Sequence, residues 1–310
     1  MLRSTARRAS LSLSLSLSLL LAGCVEPADD EIGADELALT DTVPTAAGAH
    51  QLAFEVASGQ QRAYLLYLPA GYDQNRAQPY PVVAMFHGFT GSAAGFAATL
   101  DAAGLRTLAD QQGKIVVFLQ GTVGLSITSN GFWNVTAAGR DDVGYTQELL
   151  DHLSLHLNVD EDRVFAGGHS LGGRFVHELG SRDPDRFRAL ADVSGFYGTP
   201  FAQPAAPPAG TLLPVLIVHG TDDMTVPPAG GPLFLPTQST YAAWYANNAC
   251  TEPTNLLLSI FWAIETTDCL PGITDPVVQY VLVGGLQHNW PTAADHYDAS
   301  SEMLAFFDMQ

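Results

Sequence analysis

The stretch that most constrains the fold is Arg163–Arg174, an apolar run that leads into Gly-His-Ser-Leu-Gly and then into a helical pattern. The Gly-x-Ser-x-Gly spacing around Ser170 predicts a sharp strand-to-helix turn, because glycine tolerates the tight backbone conformations that such a turn requires. This turn would expose the Ser170 hydroxyl above a sheet and place the Leu171 N–H at a helix N-terminus. The alternative is that this Gly-rich stretch is only a tight connection between a strand and a helix, with no catalytic role.

Apolar strands alternate with helices along most of the chain, whose 310 residues are 47% hydrophobic and therefore sufficient for a buried core. The runs typical of strands buried on both faces fall at 81–86, 115–119, 190–193, 214–218 and 277–283. The helical patterns fall at 95–110, 145–157, 172–181, 239–248 and from Asp298 onward. This alternation predicts an α/β fold, a mostly parallel sheet with helices on both faces.

Two further segments complete this prediction of the fold. Residues 51–57 and 62–68 alternate apolar and polar side chains around a Ser-Gly-Gln turn, which predicts an N-terminal antiparallel hairpin. The apolar run Leu256–Ile264 fits either a strand or a helix. Two long loops rich in Pro and Gly, residues 195–212 and 224–237, follow predicted strands and are either walls of a ligand pocket or simple surface loops.

The first 50 residues are expected to lie outside the folded domain, which we place at residues 51–310. Three arginines precede the Leu/Ser-rich run Leu11–Leu21, the pattern of an export signal peptide over residues 1–23. The following Leu-Ala-Gly-Cys resembles the lipobox of bacterial lipoproteins, in which the cysteine becomes the lipidated first residue. The resemblance implies an exported protein, anchored to the bacterial cell envelope by lipid at Cys24 or secreted.

The acidic balance of the chain argues against nucleic acid as a partner. The formal net charge is −19, and removal of residues 1–23 takes away three arginines and no acidic residue, which leaves −22. Phosphate binding needs a basic face, which this composition does not favour. Seven of the acidic residues fall within 25–50 without a basic residue among them, so residues 24–50 are expected to form a flexible acidic tether.

The cysteine count is compatible with export. With Cys24 assigned to lipid, Cys250 and Cys269 remain as an even pair, either a disulfide in an oxidising compartment or two buried thiols. The sequence contains neither Cys-x-x-Cys nor His-Glu-x-x-His. It therefore offers no metal-ligand spacing, and we expect no metal and no cofactor.

Two further strand ends carry the side chains that would activate a serine. One apolar strand runs into Asp222 and Asp223, and a later strand runs into a Gly-containing loop that bears His288. A serine hydroxyl needs a base to take its proton, and the base needs a carboxylate to orient it. The chain order Ser170, Asp222 or Asp223, His288 is that of α/β-hydrolases. Because each residue follows a strand, we expect all three at one edge of the sheet.

These motifs resemble a family of secreted esterases that includes polyhydroxybutyrate depolymerases, feruloyl esterases and acetylxylan esterases. The likeness runs from about residue 60 to 308 and is carried by segments 85–89, 132–134, 141–145, 163–173, 219–227 and 284–291. It implies the α/β-hydrolase fold, with Ser170 as nucleophile, Asp223 as the catalytic acid and His288 as the base. It also implies an oxyanion hole formed by the backbone N–H groups of Phe89 and Leu171.

The resemblance extends to other residues and to the reaction. It implies a disulfide between Cys250 and Cys269. Trp133 and Trp290 are expected to line the substrate pocket, with core packing as the alternative for Trp133. The chain is thus predicted to be a serine esterase of the feruloyl or acetylxylan esterase type or the polyhydroxyalkanoate depolymerase type, acting on plant polysaccharide esters or a polyester. A serine peptidase on the same fold and a non-catalytic surface-binding lipoprotein are the alternatives.

Overall fold

A computed structural model describes residues 42–136, 139–199, 202–208, 211–251, 255–267 and 277–310. The predicted signal peptide, Cys24 and most of the predicted tether lie outside these residues. Cys250 is buried, but Cys269 also lies outside the described residues, so their pairing stays a prediction. In the part of the chain that the structure describes, no helix has the length and hydropathy needed to cross a bilayer.

Within these ranges the chain forms one sheet and six α-helices. The strands are β1 (Gly48–Glu55), β2 (Gln61–Leu68), β3 (Tyr80–Phe86), β4 (Ile115–Val123), β5 (Val159–His169), β6 (Ala189–Val193), β7 (Val215–Gly220), β8 (Asn255–Leu258), β9 (Trp262–Thr267) and β10 (Val278–Val283). The helices are α1 (Ala93–Ala102), α2 (Leu105–Gln112), α3 (Asp142–His156), α4 (Leu171–Arg182), α5 (Gln238–Asn247) and α6 (Ala299–Asp308).

The sheet is parallel in the middle and antiparallel at both edges. Its strand order is β1-β2-β4-β3-β5-β6-β7-β10-β9-β8. The six strands from β4 to β10 in this order pair in parallel, whereas β1 and β2 at one edge and β9 and β8 at the other pair antiparallel. This topology confirms the predicted α/β class, with its mostly parallel centre and its N-terminal hairpin of β1 and β2.

Helices cover both faces of the sheet because the central strands are apolar on both sides. In β3, Val82, Ala84 and Phe86 join a core that also contains residues of α3, α4 and α5. Val83 and Met85 face the opposite core, which contains residues of α1, α2 and α6. All seven residues of β3 are buried, and this two-sided burial accounts for its continuous apolar sequence.

Two segments show what periodicity alone leaves open. The helical pattern at 95–110 forms two helices, because Gly104 adopts a φ of 83° and separates α1 from α2. The ambiguous run Leu256–Ile264 contributes to the two edge strands β8 and β9, of which β9 pairs with β10. The pairing of β9 with β10 makes this run strand and not helix. The hydrophobic pattern of the run itself does not contain that information.

Candidate active site

The serine turn connects β5 directly to α4, with Ser170 as the single residue between them. Ser170 has φ 56° and ψ −117°, a strained conformation for a residue that carries a side chain. Close packing excludes side chains at both flanking glycines. A Cβ on Gly168 would lie 2.3 Å from the Gly172 carbonyl carbon, and one on Gly172 would lie 2.0 Å from the Phe86 oxygen. The spacing of the motif is therefore a requirement of this turn.

Ser170, His288 and Asp223 form a hydrogen-bonded chain across three strand ends. Ser170 Oγ lies 2.8 Å from His288 Nε2, and His288 Nδ1 lies 2.7 Å from Asp223 Oδ2. A carboxylate only accepts, so Nδ1 carries the ring proton and Nε2 is free to accept the hydroxyl proton. The three residues follow β5, β7 and β10, which belong to the parallel centre of the sheet. Their carboxyl ends therefore meet at one edge.

Asp223 is buried and accepts hydrogen bonds on both oxygens. Its Oδ1 accepts the backbone N–H groups of Thr225 at 2.9 Å and Val226 at 2.8 Å. Its Oδ2 accepts from His288 and lies 3.2 Å from His219 Nε2. Burial alone would raise the pKa of Asp223, but hydrogen bonds from His219, His288 and Val226 outweigh it and hold this pKa well below its usual range. Asp223 is therefore a carboxylate at neutral pH.

Asp222 has a different environment from its neighbour. Its side chain is exposed and accepts a hydrogen bond from Thr221 Oγ1 at 3.0 Å. Its backbone N–H donates to the Leu286 carbonyl at 3.0 Å, which turns the chain so that Asp223 enters the core. Burial and contact with His288 thus separate two carboxylates that strand position alone could not distinguish.

The loop after β3 brings Gly88, and with it the peptide bond to Phe89, close to Ser170. A Cβ on Gly88 would lie only 3.3 Å from Ser170 Cβ. Among the described residues, neither the Phe89 N–H nor the Leu171 N–H donates a hydrogen bond to the protein. Two unpartnered backbone N–H groups near a serine hydroxyl can bind a negatively charged oxygen. We call residues 87–91 the oxyanion turn.

His87 stabilises the conformation of this turn through both of its ring nitrogens. Its Nε2 accepts the Gly121 N–H at 3.0 Å, and its Nδ1 lies 2.8 Å from the Gly88 carbonyl, so the ring is neutral with its proton on Nδ1. Burial is the main cause that lowers the pKa of His87 to about 4. A neutral imidazole at this position keeps both hydrogen bonds at physiological pH.

Trp133 and Trp290 are both buried, which supports the core-packing alternative for Trp133 and contradicts the expectation that Trp290 lines the pocket. Trp133 is 1% exposed, stacks on Phe175 with ring centroids 5.0 Å apart, and donates its indole N–H to the His87 carbonyl at 2.8 Å. Trp290 is 6% exposed and donates to Ser300 Oγ at 3.1 Å. Neither side chain belongs to the lining of the two clefts that border Ser170 and His288. Trp133 instead supports the backbone of the oxyanion turn.

Two open clefts lie beside the Ser170–His288 pair. The larger, of about 300 Å³, borders the oxyanion turn, and its lining includes Gly88, Phe89, Thr90, Phe96 and His169. The smaller, of about 220 Å³, borders the imidazole and is lined by Asp222, Met224, Thr225, Gln287, His288 and Asn289. Met224 and Thr225 belong to the long loop 224–237, so part of this loop forms a cleft wall.

His169 lines the larger cleft, and its ring centroid lies 5.0 Å from that of His288. Burial first, and the nearby His288 second, lower the pKa of His169 to about 3. The ring is therefore neutral, which avoids repulsion with a charged imidazolium at His288. The described residues contain no group of three His, Cys, Asp or Glu side chains arranged to hold a metal ion.

Sequence reasoning missed Arg140, whose side chain contacts the segment beside the oxyanion turn. It donates to the carbonyls of Gly121 and Phe132 and to Asp142. The only signal in the sequence is an arginine directly before two aspartates, and such a charge cluster on a loop usually indicates a solvated surface. Only the structure reveals that Asp142 is buried.

Comparison with known proteins shows that this chain is similar to esterases. No protein-family model matches the chain. A bifunctional acetylxylan esterase/xylanase from Neocallimastix patriciarum is 31% identical over 119 residues, which covers 38% of this chain and 16% of the relative. Feruloyl esterase B from Piromyces equi is 26% identical over 204 residues, which covers 62% of this chain and 37% of that protein. The chain therefore spans less than half the length of either relative.

A solved acetyl xylan esterase from Aspergillus awamori superposes with a TM-score of 0.62 and covers 85% of this chain and 100% of its own. The protein has the α/β-hydrolase fold. Sequence identity to that structure is 17%, a level at which the similarity establishes the architecture alone. The chemistry has to be argued from the site, because one fold hosts many functions.

Proposed function

We propose that the protein is a serine hydrolase that cleaves carboxylic esters. The observation that carries the proposal is the hydrogen-bonded chain from Ser170 Oγ through His288 to the buried carboxylate of Asp223, with distances of 2.8 and 2.7 Å. Pure binding would require neither a strained serine nor an oriented imidazole. The esterase names of the relatives favour an ester over a peptide bond.

In the proposed first half-reaction, Ser170 Oγ attacks the ester carbonyl carbon while His288 Nε2 takes the hydroxyl proton. The carbonyl oxygen becomes an oxyanion, to which the Phe89 and Leu171 N–H groups donate hydrogen bonds. Asp223 stabilises the imidazolium that forms. His288 then gives its proton to the leaving alcohol, and the acyl group stays on Ser170.

In the second half-reaction a water molecule attacks the acyl carbon while His288 Nε2 accepts a proton from it. The tetrahedral intermediate collapses, the acid leaves, and His288 returns the proton to Ser170 Oγ. Each proton taken up by the imidazole is released within the same cycle. Apart from the ester itself, this scheme uses only groups of the protein and water.

The two clefts support a division of the ester between them. The leaving oxygen takes its proton from His288, so we assign the alcohol to the smaller cleft that borders this residue. The acyl group then takes the larger cleft beside the oxyanion turn. Phe89 and Phe132, 66% and 52% exposed with ring centroids 6.4 Å apart, offer an apolar surface at its mouth.

We propose acetyl or aromatic acyl esters of a polymeric alcohol as substrates, and a polyester as the second candidate. Open clefts accommodate a chain that continues past the reacting bond, and the names of the relatives favour the polysaccharide esters. We also propose that the protein is exported and attached to the cell envelope by lipid at Cys24, on the strength of residues 1–24. Replacement of Cys24 by Ser should abolish incorporation of labelled fatty acid.

Two assays test the proposed activity. A fluorophosphonate probe should label the wild-type chain and leave Ser170→Ala unlabelled, since the probe reacts with an activated serine. A panel of p-nitrophenyl acetate, methyl ferulate, acetylated xylan and a polyhydroxyalkanoate film should then rank the acyl groups. Failure of the probe to label the wild-type chain would favour a binding protein, and cleavage of casein faster than of every ester would favour a peptidase.

A further inference from the structure

The oxyanion turn depends on the neighbouring segment for its conformation. Thr90 has a φ of 60°, which is unfavourable for a β-branched residue and must be imposed by its surroundings. The Gly91 N–H closes the turn on the Gly88 carbonyl at 3.0 Å, and two backbone hydrogen bonds connect the turn to Gly131: the Thr90 N–H donates to the Gly131 carbonyl at 2.9 Å, and the Gly131 N–H donates to the Gly91 carbonyl at 2.8 Å. The direction of the Phe89 N–H is therefore linked to residues 131–133.

Arg140 contacts the segment of residues 131–133 through its guanidinium group. The Phe132 carbonyl and, at 2.7 Å, the Gly121 carbonyl share the Nη2 hydrogen that is not directed at Asp142, so the guanidinium reinforces the link to β4 that the Phe132 N–H makes to the Gly121 carbonyl at 3.2 Å. The charged group of Arg140 also lies 5.1 Å from the centroid of the Phe132 ring. Gly121 is the residue whose N–H binds His87, so both sides of the oxyanion turn are connected to this arginine.

Asp142 fixes the guanidinium in place. It accepts Arg140 Nε at 2.7 Å on one oxygen and Arg140 Nη2 at 2.8 Å on the other, a two-point contact that sets the orientation of the plane. The Asn134 N–H donates to the same carboxylate at 2.7 Å, and Arg62 Nη1 lies 2.9 Å from it. Asp142 and Arg62 are fully buried, which makes this arrangement costly to rearrange.

We propose that Arg140 is a positioning residue for the oxyanion hole. It reaches no reacting atom itself and acts through Phe132 and Gly131 on the direction of the Phe89 N–H. Without it the Thr90 strain can relax and the N–H turns away from the oxyanion, which weakens transition-state binding more than substrate binding. The inference rests on the proposed ester hydrolysis, in which Phe89 supplies one of the two oxyanion donors.

The test compares Arg140→Gln with a matched loss of an arginine elsewhere. Arg163, in β5 and seven residues before Ser170, also bonds a carboxylate and a backbone carbonyl, Asp160 at 2.7 Å and Pro79 at 3.1 Å. With p-nitrophenyl acetate we expect Arg140→Gln to lower kcat about 30-fold, with KM changed less than about twofold. Arg163→Gln removes a partly exposed ion pair, so it should lower Tm only slightly and leave kcat within about twofold of wild type.

A second readout reports the oxyanion directly. A trifluoromethyl ketone forms a tetrahedral adduct with the serine that carries the same negative oxygen as the intermediate. Its affinity for Arg140→Gln should fall by about the same factor as kcat, whereas fluorophosphonate labelling of the variant goes to completion. Arg140→Lys, which retains the charge but not the two-point contact, should fall between wild type and Arg140→Gln in both measurements.

Unchanged kcat and ketone affinity in Arg140→Gln, with only Tm lowered, would overturn the inference and leave Arg140 a structural residue. If Arg140→Gln does not fold, Arg140→Lys decides in the same way, since equal kcat and ketone affinity to wild type would reject a positioning role. A failure of the proposed function looks different, because the wild-type chain would then bind neither the ketone nor the fluorophosphonate probe.

Discussion

His219 Nε2 lies 3.2 Å from the same oxygen of Asp223 that His288 Nδ1 contacts at 2.7 Å. It also lies 2.8 Å from the Val226 carbonyl, and since both partners accept, this nitrogen carries the ring proton. The carboxylate that orients His288 is thus itself held by a second imidazole. The two histidines come from different strand ends, β7 and the loop after β10.

From this relationship we predict that His219→Leu lowers kcat about tenfold, because Asp223 loses a hydrogen-bond donor worth about 1.5 kcal/mol to a charged acceptor. His219→Asn can still donate and should recover most of this loss. Kinetics with p-nitrophenyl acetate distinguish the two variants. Equal kcat values for His219→Leu and wild type would show that the shared oxygen has no effect on catalysis.

The two adjacent aspartates should respond very differently to removal of charge. Asp223→Asn should reduce kcat by about 10⁴-fold, since an amide at this position favours the wrong tautomer of His288. Asp222→Asn is the matched control and should stay within about threefold, because its carboxylate is exposed and bonds only to Thr221 among the described contacts. A reversed order of the two variants would move the acid role to Asp222.

Because of His87, the free energy of unfolding should decrease as the pH drops from about 6.5 to about 4. Its pKa is lowered from 6.5 to about 4, so between these values the unfolded chain binds a proton that the folded protein excludes. The contribution of His87 is complete above pH 6.5, falls as the pH drops toward 4 and is constant below it. The loss over this window is on the order of 3 kcal/mol.

The variant His87→Asn isolates this effect, because an amide can occupy the site without titrating. Thermal unfolding at pH 7.0 and 4.0 should give a smaller drop in Tm for His87→Asn than for the wild-type chain. If Tm drops by the same amount in both proteins, His87 is already protonated in the folded protein at pH 4.0 and its pKa is not lowered.

Trp133 and Trp290 provide a matched pair for the role of the oxyanion turn. Each Trp→Phe change removes a buried indole N–H bond, to the His87 carbonyl or to Ser300 Oγ, and each should cost about 1–3 kcal/mol of stability. Only Trp133→Phe frees a carbonyl within the oxyanion turn. We expect its kcat to fall about fivefold to tenfold, with Trp290→Phe near wild type, and equal kcat values would contradict this assignment.

Much of the fold could be predicted from the sequence because its signals are local. The continuous apolar runs of β3 and β7 indicate strands buried on both faces, and the glycines around Ser170 specify a turn that only they can form. The edge strands β8 and β9 could not be assigned in the same way. Their conformation depends on pairing with β10, a contact between distant parts of the chain.

The site was less predictable wherever burial decides the role. Strand order placed Ser170, His288 and two aspartates at one edge, but the choice between Asp222 and Asp223 depends on which side chain enters the core. Trp133 lies in segment 132–134, which carries part of the family resemblance, and is nevertheless buried. Arg140 carries no pattern that separates it from an ordinary surface arginine, because its importance arises from the carbonyls that a folded loop presents to it.

The central claim is that Ser170 is a nucleophile activated by His288, and the most direct measurement is the steady-state hydrolysis of p-nitrophenyl acetate by Ser170→Ala. Ser126→Ala, which alters a hydroxyl bonded only to Thr128 in the described structure, serves as the control. The account predicts a loss of roughly 10⁴-fold or more for Ser170→Ala and wild-type rates for Ser126→Ala. A Ser170→Ala protein that hydrolyses the ester within about tenfold of the wild-type rate would contradict it.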